Sequence, residues 1–156
     1  MTAVETGWHC LGPAEDYRDG RPHAIEAFGT KLVAFADRRG EIRILDARCP
    51  HMGGDLSYGS VVGDTIDCPI HRWRWDGNGE AAGGSPHPTP TRAWPTLERD
   101  HLLFVWHDPE DGPAPSNPRE PASSIAWTLA TQRSSHRGRC PSTSCSPGLS
   151  LPGVRR

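Results

Sequence analysis

Cys49, His51, Cys68 and His71 bring two thiols and two imidazoles as short pairs, Cys-x-His and Cys-x-x-His, with sixteen residues between the pairs. Thiolates and imidazoles are ligands of zinc and of iron–sulfur clusters. Each pair is compact enough to reach a metal from one tight loop. Pro50 and Pro69 stiffen the chain directly after each cysteine, and Gly53-Gly54 lets the first loop curl closely around a bulky object. Backbone N–H groups in such a curl can donate to sulfur and tune what is held there. The spacing admits zinc, an iron–sulfur cluster, or no metal.

The distribution of the ligands separates these. Zinc fingers place cysteines with cysteines and histidines with histidines. Here each loop contributes one of each, the pattern of a Rieske [2Fe–2S] centre. The flanking text agrees. "GWHCLG" (7–12), "IEAFGTKLVAFAD" (25–37), "HMGGDLS" (51–57), "HRWRWDGNGE" (71–80) and "LLFVWHDPE" (102–110) resemble the Rieske non-haem iron oxygenases. Among them the likeness is to the oxygenase components of bacterial 3-ketosteroid 9α-hydroxylases.

This resemblance, over residues 7–110, implies a Rieske [2Fe–2S] cluster with Cys49, His51, Cys68 and His71 as its ligands. It implies an all-β fold, a Rieske-type antiparallel β-sandwich with a small cluster-binding subdomain. The implied function is electron entry into a steroid-ring oxygenase, with a flavin- or ferredoxin-type reductase as donor and an oxygenase catalytic domain as acceptor. A stand-alone Rieske-type ferredoxin and a zinc-binding module without redox activity are the alternatives. Dedicated carriers usually lack the "GWHCLG" and "LLFVWHDPE" flanks.

Two neutral imidazoles in place of two thiolates leave the oxidised cluster uncharged. Rieske centres accordingly sit at roughly −150 to +300 mV, against about −400 mV for plant-type ferredoxins. Respiratory Rieske proteins add a disulfide and two hydroxyl donors near the cluster. The corresponding positions here are Gly54 and Ile70, and Trp73 and Trp75. Indole N–H can donate, but both hydroxyls are missing, so a potential in the lower part of that range is expected.

The elements that must position these residues read as short strands. "HAIEAF" (23–28), "KLVAFA" (31–36) and "EIRILD" (41–46) alternate around a Gly29-Thr30 turn and Arg38-Arg39-Gly40. "SVVGDTIDC" (60–68) splits at Gly63-Asp64 into two strands. "HLLFVWH" (101–107) is expected to be the most buried strand, with "AWPTLE" (93–98) as its partner, and residues 77–90 form a loop. Seventeen Gly and 16 Pro among 156 residues suit such a loop-rich β domain.

A net charge of −2 gives no nucleic-acid footprint. The N-terminus lacks a signal-peptide pattern and no stretch approaches a membrane span, so a soluble, cytoplasmic protein is expected. Residues 1–110 are expected to form the Rieske domain, and 111–156 a linker and low-complexity tail in which only "SIAWTLA" (124–130) could dock. Past Asp111 the acids and histidines are too few for the two-His, one-carboxylate iron site of the family's catalytic domain. A truncated or frame-disrupted copy is therefore expected, unable to hydroxylate substrate alone. His9, Cys10, His101 and His107 are expected to pack in strands, while His87 sits in a loop and Cys140 and Cys145 pair by coincidence.

Overall fold

A computed structural model describes residues 4–84 and 89–115. The first strands are β1 (Gly7–Pro13), β2 (His23–Ala27), β3 (Thr30–Ala36) and β4 (Ile42–Asp46). The middle of the chain adds β5 (Ser60–Val62), β6 (Thr65–Asp67), β7 (Arg74–Asp76) and β8 (Ala81–Ala82). Then come β9 (Ala93–Trp94), β10 (Thr96–Arg99) and β11 (Leu102–His107). They form three antiparallel sheets, ordered β1-β11-β10, β2-β3-β4-β9 and β5-β6-β7-β8. Two single turns of 3-10 helix, Ala14–Tyr17 and Leu56–Tyr58, are the helical elements among the described residues.

The central sheet works on both faces, because successive strand residues point to opposite sides. Leu32 and Ala34 of β3 pack with Ile42, Ile44, Trp94, Leu103 and Val105 against the β1-β11-β10 sheet. Val33 and Phe35 pack the other way, with Leu45, Leu56, Ile66 and Trp75 of the β5–β8 side. Cys49 and Cys68 belong to this second core. The first core makes the sandwich; the second makes the subdomain that carries the Cys-His loops.

Strand β3 is therefore the most deeply covered, buried without interruption from Leu32 to Ala36. The expectation for 101–107 is corrected: Leu103 and Val105 are buried while Leu102, Phe104 and Trp106 are half-buried, since β11 has a core on one face only. "AWPTLE" also divides. Pro95 has no N–H for a ladder, and the chain changes sheets there: Ala93–Trp94 pair with β4, Thr96–Arg99 with β11. Within the expected 77–90 loop, Ala81–Ala82 form a short strand on β7. The β2–β3 turn falls at Phe28-Gly29, both with positive φ, one residue earlier than the sequence pattern suggests.

Lys31 of β3 braces the subdomain. Its ammonium lies 2.5 Å from Asp55, which also accepts from the Ser57 N–H at 2.9 Å and so caps the Leu56–Tyr58 turn. Burial pushes the Asp55 carboxyl upward, but the Lys31 and Ser57 bonds outweigh it and hold it below its ordinary value. At the far end, Trp106 Nε1 donates to the Gly112 carbonyl at 3.2 Å and Arg92 meets Asp111 at 2.6 Å. The domain boundary expected at 110 is thus followed by two residues that fold back onto the sandwich. "SIAWTLA", His87, His136, Cys140 and Cys145 lie outside the described residues.

Candidate metal centre

The two Cys-His loops share one backbone design. In the first, the Cys49 N–H donates to the Gly54 carbonyl at 2.7 Å, and the Gly53 N–H donates to the Cys49 carbonyl at 2.9 Å. In the second, the Cys68 N–H donates to the Trp73 carbonyl at 2.7 Å, and the Arg72 N–H to the Cys68 carbonyl at 2.9 Å. Both bonds connect the same offsets from the cysteine. The fifth residue of each loop, Gly53 (φ +74°) or Arg72 (φ +60°), takes the left-handed conformation that closes the turn. Histidine stands at the third position of one loop and the fourth of the other, which hides this likeness in the sequence.

The loops pack tightly together. A Cβ on Gly54 would sit 2.8 Å from Cys68 Sγ and 2.9 Å from Ile70 Cδ1, so a side chain there would displace the opposite loop. Cys49 and Cys68 are buried at 1% and 2% exposure, whereas His71 is exposed and His51 half-buried. Both thiols belong to the second core and are close enough to interact. Burial pushes the Cys49 thiol up and so does Cys68, while N–H donation from the His51 backbone and the Trp75 indole pulls it back. The imidazoles pair in turn, with ring centroids 4.7 Å apart. Trp73 of the second loop stacks on His51 of the first, centroids 3.6 Å apart and planes 18° from parallel.

All four predicted residues thus come together, but as two pairs rather than around one point. Among the described residues no three His, Cys, Asp or Glu side chains gather as a site for a single ion. That arrangement fits a binuclear cluster, with sulfur donors on one side and nitrogen donors on the other, better than a tetrahedral zinc. The competing residues remain with the sandwich. His9 and Cys10 are on β1, with His9 against Phe28 and His107, and His101 is in the β10–β11 turn.

The sequence profile of the Rieske [2Fe–2S] domain matches residues 7–95, more than half of the chain. The chain belongs to the Rieske [2Fe–2S] domain family. Its cofactor is a Rieske-type cluster. The 3-ketosteroid-9-alpha-monooxygenase oxygenase component of Rhodococcus rhodochrous is 56% identical over 131 residues, covering 78% of this chain and 33% of that protein. The chain therefore spans about a third of the length of that relative. Among solved structures, apo dicamba monooxygenase superposes with a TM-score of 0.63 at 27% identity, over 73% of this chain and 39% of that one. The ferredoxin of carbazole 1,9a-dioxygenase from Nocardioides aromaticivorans shares the fold along its whole length, with a TM-score of 0.59 at 20% identity over 66% of this chain. No helix among the described residues is long and apolar enough to cross a membrane.

In this Rieske domain the sequence pattern undervalues one residue. Trp75 is fully buried, stands on β7 below the second loop, and places its indole where it favours the ionised form of the Cys49 thiol. Its N–H is the nearest substitute on β7 for the hydroxyl donors that this sequence lacks. Trp73 instead lays its ring on His51. Trp75→Phe keeps an aromatic of similar shape and deletes that donor. The reduction potential of the loaded variant is expected to fall by roughly 40–80 mV, about 1–2 kcal/mol of lost preference for the reduced state at 59 mV per tenfold. An unchanged potential in a spectroelectrochemical titration would mean that the indole has no influence on the cluster.

Proposed function

We propose that Cys49 and Cys68 hold one iron of the cluster and His51 and His71 the other, and that the chain is the electron-entry domain of a Rieske oxygenase acting on a steroid ring. The supporting observation is the segregation of the ligand set: two buried thiols in the second core, and two imidazoles paired with each other, His71 exposed and His51 half-buried. When bound, the cluster accepts and releases one electron at a time. The second core keeps water from the cysteine side, Trp73 fixes the His51 ring, and exposed His71 offers the shortest route to a partner. A flavin- or ferredoxin-type reductase supplies the electron and an oxygenase catalytic domain receives it. The steroid is suggested by the Rhodococcus relative, a 3-ketosteroid-9-alpha-monooxygenase oxygenase component.

Reconstituted protein is expected to carry about two irons and two labile sulfides per chain, to give a reduced-state EPR signal, and to titrate in the lower part of the roughly −150 to +300 mV range. A colourless, EPR-silent protein that binds zinc instead would overturn the ligand assignment. The full-length likeness to a ferredoxin favours a second reading, a free carrier, which electron delivery to a separate, unrelated oxygenase would support.

A further inference from the structure

Arg72 occupies a position where its own fold offers a cheaper choice. The fifth residue of each loop must have positive φ, and the first loop meets that demand with Gly53. The second uses an arginine, whose Cβ makes the left-handed conformation costly. Other non-glycine residues with positive φ, such as Phe28, Asp100 and His101, lie in hairpin turns; Arg72 lies between His71 and the His51-covering Trp73.

The fold makes only a long ion pair with the side chain to offset this cost. Asp67, the buried carboxylate preceding Cys68, already has Arg74 Nε at 3.1 Å. Arg72 approaches the same carboxylate only to 3.8 Å, and its side chain is 66% exposed. The three charges leave one positive charge in excess, facing solvent beside exposed His71. Around it stand Met52 (69% exposed) and Ile70 (55%), apolar side chains presented by the same two loops. An apolar centre with a charged rim is the composition of a protein–protein contact.

We infer that Arg72 is a partner-recognition residue, a cation held at the loop tip to engage a carboxylate on the protein that delivers electrons to this domain. The inference rests on the ligand assignment proposed above. In the step it serves, the donor's reduced cluster loses one electron and this chain's oxidised cluster gains it, with no bond made or broken. An exposed charge acts mainly on encounter, and its effect fades as salt screens it.

Stopped-flow reduction of the full chain, cluster loaded, tests this with a reduced acidic plant-type ferredoxin as donor and reduced methyl viologen, a cation, as the opposite-charge probe. Arg72→Gln removes the charge and keeps the strained backbone; Arg72→Gly removes both. Both variants are expected to keep full iron and sulfide content. With ferredoxin at low ionic strength both are expected to react roughly fivefold more slowly, with a flatter salt dependence. With methyl viologen neither is expected to slow. The apparent thermal midpoint is expected to hold or rise in Arg72→Gly. Wild-type rates with ferredoxin in Arg72→Gln, or equal slowing with both donors, would overturn the recognition role. Wild-type protein without a Rieske EPR signal would instead overturn the ligand assignment, so the two failures are distinguishable.

Discussion

Cys49→Ser protein is expected to emerge without a cluster: no visible absorption, and iron and acid-labile sulfide near the background of a metal-free control. A serine hydroxyl is a harder, less acidic donor than a thiol and sits closer to the backbone. The side chain it replaces is 1% exposed and forms part of the second core. The change also weakens the acceptor that the His51 backbone N–H now uses. Poorly satisfied buried donors cost about 1–3 kcal/mol, apart from the stabilisation that cluster binding gives the loops. The midpoint of the loaded wild type should therefore exceed that of the variant by many degrees, with a smaller gap between the two metal-free proteins. Cys10→Ser, on the sandwich strand β1, is the matched control and is expected to retain full iron. Retention of full iron and sulfide by Cys49→Ser would show that this sulfur is not a ligand.

Gly79→Ala is expected to cost roughly 3–5 kcal/mol, the sum of a left-handed backbone strain and a clash that flexible side chains cannot absorb. Gly79 has φ +81°, and a Cβ there would fall 1.9 Å from the Thr91 carbonyl oxygen. The opposing group is backbone, fixed because the Thr91 N–H donates to the Gly79 carbonyl at 2.9 Å. Thr91 is buried at 5% exposure, and its neighbour Arg92 accepts the Asp46 N–H through its carbonyl at 2.9 Å. Gly79 therefore fastens the β7–β8 turn to the segment that enters the central sheet. Gly20→Ala separates the two contributions: its φ is +77° with nothing near its Cβ, so only the strain, about 1 kcal/mol, is expected. Denaturant unfolding of metal-free protein reads both. Equal losses at the two sites would remove the contact argument.

The strands from His23 to Asp46 could be read from sequence because alternating apolar residues and short turns carry their own signal. The four Cys and His positions were legible for a different reason: few residue types can do that chemistry. What the sequence hid depends on distant partners. Nothing local says that Pro95 is where the chain leaves one sheet for another, since the choice is made by β4 and β11. Nor does local pattern favour a strand at Ala81-Ala82; β7 supplies the missing edge. Apolar content alone exaggerates the burial of β11, because it does not report how many faces are covered. The common loop design is masked in the sequence because the histidines occupy different offsets, and a left-handed arginine has no signature at all.

Strand β3 divides its residues between the two cores, Leu32 and Ala34 to one and Val33 and Phe35 to the other. Adjacent codons in this stretch consequently answer to different selective demands. A change at residue 34 is judged by whether the sandwich assembles, while a change at 35 is judged also by how well iron is kept. Substitution tolerance along the strand should alternate, and only the odd-numbered half of that pattern should respond to iron supply.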